Sequence, residues 1–193
     1  MKINDYEYRE GDTSKTKPFK LYKISGVNIH TDYTPNQIKQ EKKDSIKVTY
    51  NNFNLFSQGK LKYKPKAITN AVFITKGGLF SDYKTTLTSR YLTNLRVFNY
   101  PTIQYDLDPK DSTQNSLIAN IYLTQRKKYS LVSSLDLTHS NIQEFGILGT
   151  STLSIRNVFN GAETFDIAAR GNIGSSKNLA NPSDNFFNVL EYG

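Results

Sequence analysis

The feature that most constrains this chain is a period-two pattern in FGILGTSTLSIRNVFNGAETFDIAARGNI, residues 145–173. Phe145, Ile147, Leu153, Ile155 and Phe159 fall on odd positions, and Thr150, Thr152, Ser154 and Arg156 on even ones. Beyond Asn160-Gly161 the alternation resumes, with Phe165, Ile167, Ala169 and Ile173 odd and Thr164, Asp166, Arg170 and Asn172 even. Such alternation specifies β-strands with one apolar and one polar face. Each arm has roughly the ten residues with which a tilted strand crosses a bilayer. The second face carries Arg, Asp and Asn, unlike the core of a soluble sandwich, which is the competing reading. The pattern therefore predicts a transmembrane β-hairpin with lipid on one side and a wet lumen on the other.

Asn160-Gly161 is a strong two-residue turn signal. That turn would pair Ile155 with Asp166, setting the apolar side of one strand against the polar side of its neighbour. A three-residue loop, Asn160-Gly161-Ala162, keeps like faces together. It pairs Ile155 with Ile167 and Leu153 with Ala169, and sets Arg156 opposite Asp166 as a lumen ion pair. The preceding segment is of the same kind: Tyr129, Leu131, Leu135 and Leu137 alternate with Ser130, Ser134, Asp136 and Thr138. It is expected to pair with the hairpin through a loop near Ser140–Glu144, with Leu137 opposite Phe145 and Leu135 opposite Ile147. Residues 174–185 read as a loop, and a fourth strand begins at Phe186.

The first two-thirds of the chain is different. Residues 1–18 are polar and charged and read as a linker. A strand is expected from Phe19 to Ile29, with Phe19, Leu21, Val27 and Ile29 on one face and Tyr22 and Ile24 on the other. Residues 31–64 form a long lysine-rich insertion, with a short strand around Ile46 to Tyr50. Pro65 opens a helix, a position proline favours. Its apolar spacing is Ala67, Ile68, Ala71 and Val72, and Gly77-Gly78 ends it. Ser81 or Asp82 caps a second helix whose stripe is Tyr83, Leu87, Tyr91 and Leu95. Two strands follow, through Ile103–Leu107 and Leu117–Leu123, joined by Asp108-Pro109-Lys110-Asp111. The order is β-α-α-β-β, an α+β domain over 19–126, followed by antiparallel strands over 127–193.

The segment ITKGGLFSDYKTTLTSRYLTNLRVFNYPTIQYDL at 74–107 resembles the glycine turn, second helix and following strand of one family's periplasmic domains. LSIRNVFNGAE at 153–163 resembles a turn between early barrel strands of the same family. That family is the BamA/TamA family of outer-membrane assembly proteins, whose POTRA domains precede a β-barrel, and the 31–64 insertion resembles versions from Bacteroidetes-like bacteria. The resemblance covers about residues 19–193. It implies a POTRA-like domain in the periplasm followed by the first strands of an incomplete outer-membrane barrel. It implies unfolded outer-membrane protein clients, accessory assembly proteins as further partners, and no enzymatic activity. It also implies that the first barrel strand is a lateral gate whose edge meets incoming client strands, formed by Tyr129, Ser130, Leu131, Val132, Ser133, Ser134, Leu135 and Leu137. MKINDYEYREGD has no apolar signal region and NFFNVLEYG stops within a strand pattern, so an internal fragment is expected.

Other chemistry finds little support in the sequence. There is no cysteine, and the two histidines, His30 and His139, lack metal-ligand spacing and read as exposed strand-end or loop residues. No P-loop, nucleophile elbow or dinucleotide motif occurs, so no catalytic, cofactor-binding or metal-binding set is expected. No apolar run reaches transmembrane-helix length. The net charge of +8 and the lysines interleaved with aromatics in 31–66 define an alternative, a nucleic-acid-binding basic α+β module. Against it, the basic residues are spread along the chain and no RNA-binding motif is present, so no nucleic acid partner is expected.

Overall fold

The computed structural model describes residues 5–10, 13–18, 20–34, 45–139, 143–177 and 185–190. In chain order the elements are β1 (Asp5–Glu10), β2 (Thr13–Pro18), β3 (Lys23–His30), β4 (Ser45–Tyr50), β5 (Phe53–Gln58), α1 (Pro65–Thr69) and α2 (Asp82–Asn94). They continue with β6 (Thr102–Leu107), β7 (Ser116–Tyr122), β8 (Tyr129–Thr138), β9 (Gln143–Arg156), β10 (Thr164–Lys177) and β11 (Asn185–Leu190). Two units divide the chain, Met1–Gln125 and Arg126–Gly193. The loop segments expected at 35–44, 140–142 and 178–184 lie outside the described residues.

In the first unit, β3 lies at the centre of a five-stranded mixed sheet of order β4-β5-β3-β7-β6. It runs parallel to both β5 and β7, while β4 and β6 close the two sides antiparallel. The β-α-α-β-β order is present as β3-α1-α2-β6-β7. The β4-β5 hairpin widens the sheet where the sequence read a polar insertion with one short strand. Phe53, Leu55 and Ser57 of β5 are buried, so this hairpin belongs to the core. Residues 1–18, expected as a linker, contain a separate antiparallel pair, β1-β2, with Glu10 opposite Thr13. Tyr6 and Tyr8 alternate with charged residues there, a strand period that charge composition obscured.

One face of the sheet carries the core. Ile24, Val27 and Ile29 of β3, Leu55 of β5 and Ala119 and Ile121 of β7 are buried together with Ile68 of α1 and Leu92 of α2. The strand parity expected for β3 fails at one place. The β3-β7 register shifts between Ile24 and Gly26, which brings Ile24 onto the same buried face as Val27 and Ile29. Leu21, expected on that face, is exposed.

Both helices differ from expectation. α1 ends at Thr69, not at the glycine pair. The Thr69 hydroxyl donates back to the Pro65 carbonyl at 3.1 Å, and Ala71 N–H and Val72 N–H donate to Ile68 and Thr69 carbonyls in tight i→i−3 bonds. That local competition, followed by the β-prone run Val72-Phe73-Ile74-Thr75, ends the helix early. Gly77-Gly78 instead docks on the start of β3, on the side where β5 pairs only from Val27 onward. Gly77 N–H donates to Ile24 O at 2.7 Å and Ile24 N–H to Gly78 O at 2.8 Å. Gly77 has φ of 85°, a left-handed conformation that only glycine adopts without cost. On α2 the buried face is Thr88, Ser89 and Leu92, whereas Tyr83 and Tyr91 are exposed and Leu87 and Leu95 half-buried. Thr88 can be buried because its hydroxyl accepts the Phe73 N–H at 3.0 Å. Tyr105 fixes α2 to β6: its hydroxyl lies 2.5 Å from that of Thr85 and its ring meets Phe80 edge-on at 4.9 Å.

The second unit is an antiparallel meander of order β8-β9-β10-β11. Its faces follow the expected parity and its registers do not. Ile155 lies opposite Phe165 rather than Ile167, and Leu153 opposite Ile167 rather than Ala169. On the other side Leu137 lies opposite Ile147 and Leu135 opposite Gly149. Residues 174–177, expected as loop, continue β10, with a register irregularity between Ser175 and Ser176.

Candidate functional site

The candidate site is the sheet of the second unit, built from directly opposed residues. Across β8, β9 and β10 the odd positions form rows. Tyr129, Ile155 and Phe165 make one, Leu131, Leu153 and Ile167 the next, and Leu137, Ile147 and Ile173 another. Between them lies a waist of small residues, Ser133-Ser151-Ala169 and Leu135-Gly149-Gly171. Ser133 and Ser151 hydroxyls meet at 2.9 Å there, one donating to the other. Leu135 leans across the waist, its Cδ2 3.6 Å from where a Gly149 Cβ would stand. This face is not covered: Leu131 is 68% exposed, Leu135 77%, Leu137 72% and Phe165 57%. The even positions oppose Ser130 to Ser154 and Asp166, Ser134 to Thr150 and Arg170, and Asp136 to Leu148 and Asn172.

Of the residues expected to form the gate strand, all lie in β8, one of the two edge strands of this sheet. Tyr129, Leu131, Leu135 and Leu137 stand on the apolar face, together with the small Ser133. Ser130, Val132 and Ser134 share the polar face. Arg156 and Asp166 share the polar face without facing each other directly. Arg156 opposes Thr164 and Asp166 opposes Ser154, which makes the two diagonal neighbours.

The β9-β10 connection explains the register. It spans 157–163, longer than the expected three-residue loop. Asn157 Oδ1 accepts the Ala162 N–H at 3.2 Å, the Glu163 carboxylate accepts the Phe159 N–H, and Asn157 N–H donates to Glu163 O at 2.7 Å. Asn157, Asn160 and Ala162 all have φ near +60°, and these bonds engage Asn157 and Ala162 directly. At the same end Arg156 N–H donates to Lys128 O at 2.8 Å and its guanidinium to Lys127 O at 2.9 Å.

The first unit holds a second ordered surface that sequence reading missed. On the sheet face opposite the core, Thr49, Asn54, Asn28, Asn120 and Asp106 form one hydrogen-bonded row across all five strands. Beside it Phe56, His30 and Tyr122 stack ring on ring at 5.0 and 4.8 Å, with Lys47 Nζ 5.9 Å above Phe56. His30 is thus half-buried between two rings rather than exposed. The signal was present as Asn and aromatic residues recurring two apart in β3, β5 and β7, but without a register nothing aligned them.

Ionisation in the first unit follows local contacts. Burial, helped by the Asp32 charge, pushes the Tyr63 phenol up to about 12. Burial also raises Tyr105 and Tyr122. In the β6-β7 turn, Asp111 is held well below the usual carboxylate range by the hydroxyls of Ser116 and Thr113 and by the Thr113 N–H. Among the described residues no group of three or more acidic, His or Cys side chains could hold a metal ion. No described helix is long and apolar enough to cross a membrane, which leaves crossing by strands open.

No protein-family model matches the sequence, and no curated protein does. Among solved structures the chain is similar to BamA from Haemophilus ducreyi lacking POTRA domains 1-3, at 9% identity and a TM-score of 0.42, over 90% of this chain and 27% of that one. It is also similar to CdiB from Acinetobacter baumannii, at 11% identity and a TM-score of 0.45, over 82% of this chain and 39% of that one. The chain therefore spans well under half of either protein. At these identities and scores the similarity assigns no activity.

Proposed function

We propose that the second unit is the leading part of a transmembrane β-barrel and that the first is a POTRA-like domain preceding it. The protein is then an outer-membrane assembly or insertion factor, with its first unit in the periplasm, and works without catalysis. Unfolded outer-membrane proteins are its clients. The observation that carries this reading is the uncovered apolar face running across β8, β9 and β10 above a polar face with Arg, Asp and Asn. In water such a face is a liability, and in a bilayer it is the face that lipid requires. A closed barrel has no free edge, so β8 would meet a last strand there, held by closure alone. An edge of that kind offers main-chain hydrogen bonds to an incoming strand, which leaves the side chains of Ser130, Val132 and Ser134 free to be plain.

Partition into neutral phosphatidylcholine vesicles, measured by co-flotation and protection from protease, tests the bilayer reading. Leu153→Arg, on the apolar face, should weaken integration by about 2–4 kcal/mol if the site lies near mid-bilayer. Thr152→Arg, at the same depth on the polar face, should cost much less. Equal effects would remove the reading, as would failure of the unaltered chain to partition.

A further inference from the structure

The chain enters β8 through Arg126, Lys127 and Lys128, all three exposed. No acidic residue occurs in the sequence between Asp111 and Asp136. The trio is not loose. Lys127 and Lys128 are tied to β9 by their carbonyls, which accept from the Arg156 guanidinium and backbone N–H. Lys128 Nζ stands 5.7 Å from the centre of the Tyr129 ring, a cation–π contact. Tyr129 is the first residue of the apolar face, and its row holds Ile155 and Phe165. Past that row, at the same end, the 157–163 turn exposes Val158 and Phe159. The acidic groups at this end are otherwise engaged or face away: Glu163 accepts the Phe159 N–H within its turn, and Asp166 is on the polar face.

A tyrosine at the rim of an apolar band, with cations immediately beyond it, is chemistry matched to the level of lipid phosphates. The ring sits among headgroups, and long basic side chains reach up to the phosphates while their stems stay against apolar surface. We propose that Arg126, Lys127 and Lys128 with Tyr129 bind anionic phospholipid headgroups at the leaflet where β8 enters the membrane. This rests on the bilayer reading above. Its work would be to fix the depth and tilt of the strand whose edge is free.

The test uses the full chain and two kinds of vesicle, phosphatidylcholine alone and phosphatidylcholine with phosphatidylglycerol. Phosphatidylglycerol should tighten partition, and the triple variant Arg126→Gln, Lys127→Gln, Lys128→Gln should lose about a hundredfold of that gain. The same variant should partition into neutral vesicles as the unaltered chain does. Because the whole chain is basic, Lys60→Gln, Lys62→Gln, Lys66→Gln serves as the control for net charge. Equal loss in the control overturns the proposal, as does a gain that survives in the 126–128 variant. Failure to enter either vesicle overturns the bilayer reading and this inference with it. Binding of a single-stranded oligonucleotide that the 126–128 variant abolishes would reassign the patch to nucleic acid. Depth is read independently. The chain has no tryptophan, so Tyr129→Trp introduces a single reporter. Its fluorescence should be quenched several-fold more by a spin label at the headgroup than by one at the bilayer centre. The reverse order would overturn the assignment.

Discussion

The two units use the same strand chemistry to opposite ends. In the first, the apolar positions of β3, β5 and β7 are turned toward α1 and α2 and are buried, and the face left open is knitted by side-chain hydrogen bonds and ring stacking. In the second, no layer among the described residues lies over the apolar positions of β8, β9 and β10, and the open face is the greasy one. A sheet needs something against its apolar face. The first unit supplies its own cover from the 65–95 segment, and the described residues of the second contain no helix from which to make one. Strand alternation alone therefore does not distinguish a sheet that its own unit covers from one whose apolar face is left open. What tells them apart is whether the same unit contains elements with a matching apolar stripe.

That contrast can be broken most severely at Leu92, which is fully buried on α2. Leu92→Asp places an unpaired charge in the core and should cost about 4 kcal/mol or more, abolishing the cooperative thermal transition of the first unit followed by circular dichroism. Leu87→Asp, on a half-buried position, should cost clearly less. A reversed order would move the buried face of α2 back to the stripe expected from sequence.

At the free edge the effect is of presence or absence. The native chain has no cysteine, so single cysteines report cleanly. In a full-length protein containing this chain, cysteines at 130, 132 and 134 should form disulfides with a cysteine-bearing client strand during assembly. Cysteines at 150 and 152, on the interior strand β9, should not. Crosslinking from both sets, or from neither, would leave the fold standing and remove the gate.

Thr88→Val keeps shape and removes the acceptor for the Phe73 N–H. The orphaned amide should cost the first unit about 1–3 kcal/mol in denaturant unfolding, with the midpoint shifted and the slope kept. A neutral Thr88→Val would mean that this hydrogen bond adds nothing to holding the cover over the sheet.

The smallest effects are in pH. The Tyr63 phenol titrates at about 12 in the folded protein against an ordinary 10. The unfolded chain therefore loses this proton first, and stability that is full below pH 10 declines up to about pH 12. Tyr63→Phe should flatten that stretch of a stability–pH curve. Asp111 has the opposite sign. Its carboxylate is favoured by folding, so its contribution is present at neutral pH and fades as pH falls below the ordinary carboxylate range. Asp111→Asn should lose the acid-side dependence, with its deficit against the unaltered chain present at neutral pH and shrinking as pH falls.

Much of this was legible in sequence because period and polarity are local. The faces of β8, β9 and β10 and the β-α-α-β-β order follow from spacing alone. Register was not legible, for a physical reason. With a side-chain period of two, sliding one strand by two residues keeps every apolar residue on its own face. Ile155 opposite Phe165 and Ile155 opposite Ile167 are equivalent by pattern. The choice is made by Asn157 and Glu163, whose side chains bind backbone inside the turn, and Asn160-Gly161 gave no hint of them. The α2 stripe failed similarly. Thr88 reads as surface until the Phe73 N–H is known to lie against its hydroxyl, and Ser89 is buried with its hydroxyl unpartnered among the described residues, which no polarity pattern announces. The irregularity at Ile24 and Gly26 changes parity within one strand, which no fixed period can anticipate.

The row from Thr49 to Asp106 has a direction. Thr49 donates to Asn54, Asn54 to Asn28, Asn28 to Asn120, and Asn120 to the Asp106 carboxylate. Every amide points the same way, from the β4 edge toward the β6 edge, and the arrow ends on a negative charge. Such a row polarises along its length, each bond strengthening the next. No member can turn over alone, because a reversed amide would set donor against donor on one side and acceptor against acceptor on the other. Beside their separate backbone ladders, the five strands thereby share one directed vector of side chains. Asp106→Asn would exchange that fixed acceptor for an amide that can also donate, and the direction of the row would no longer be set at its β6 end.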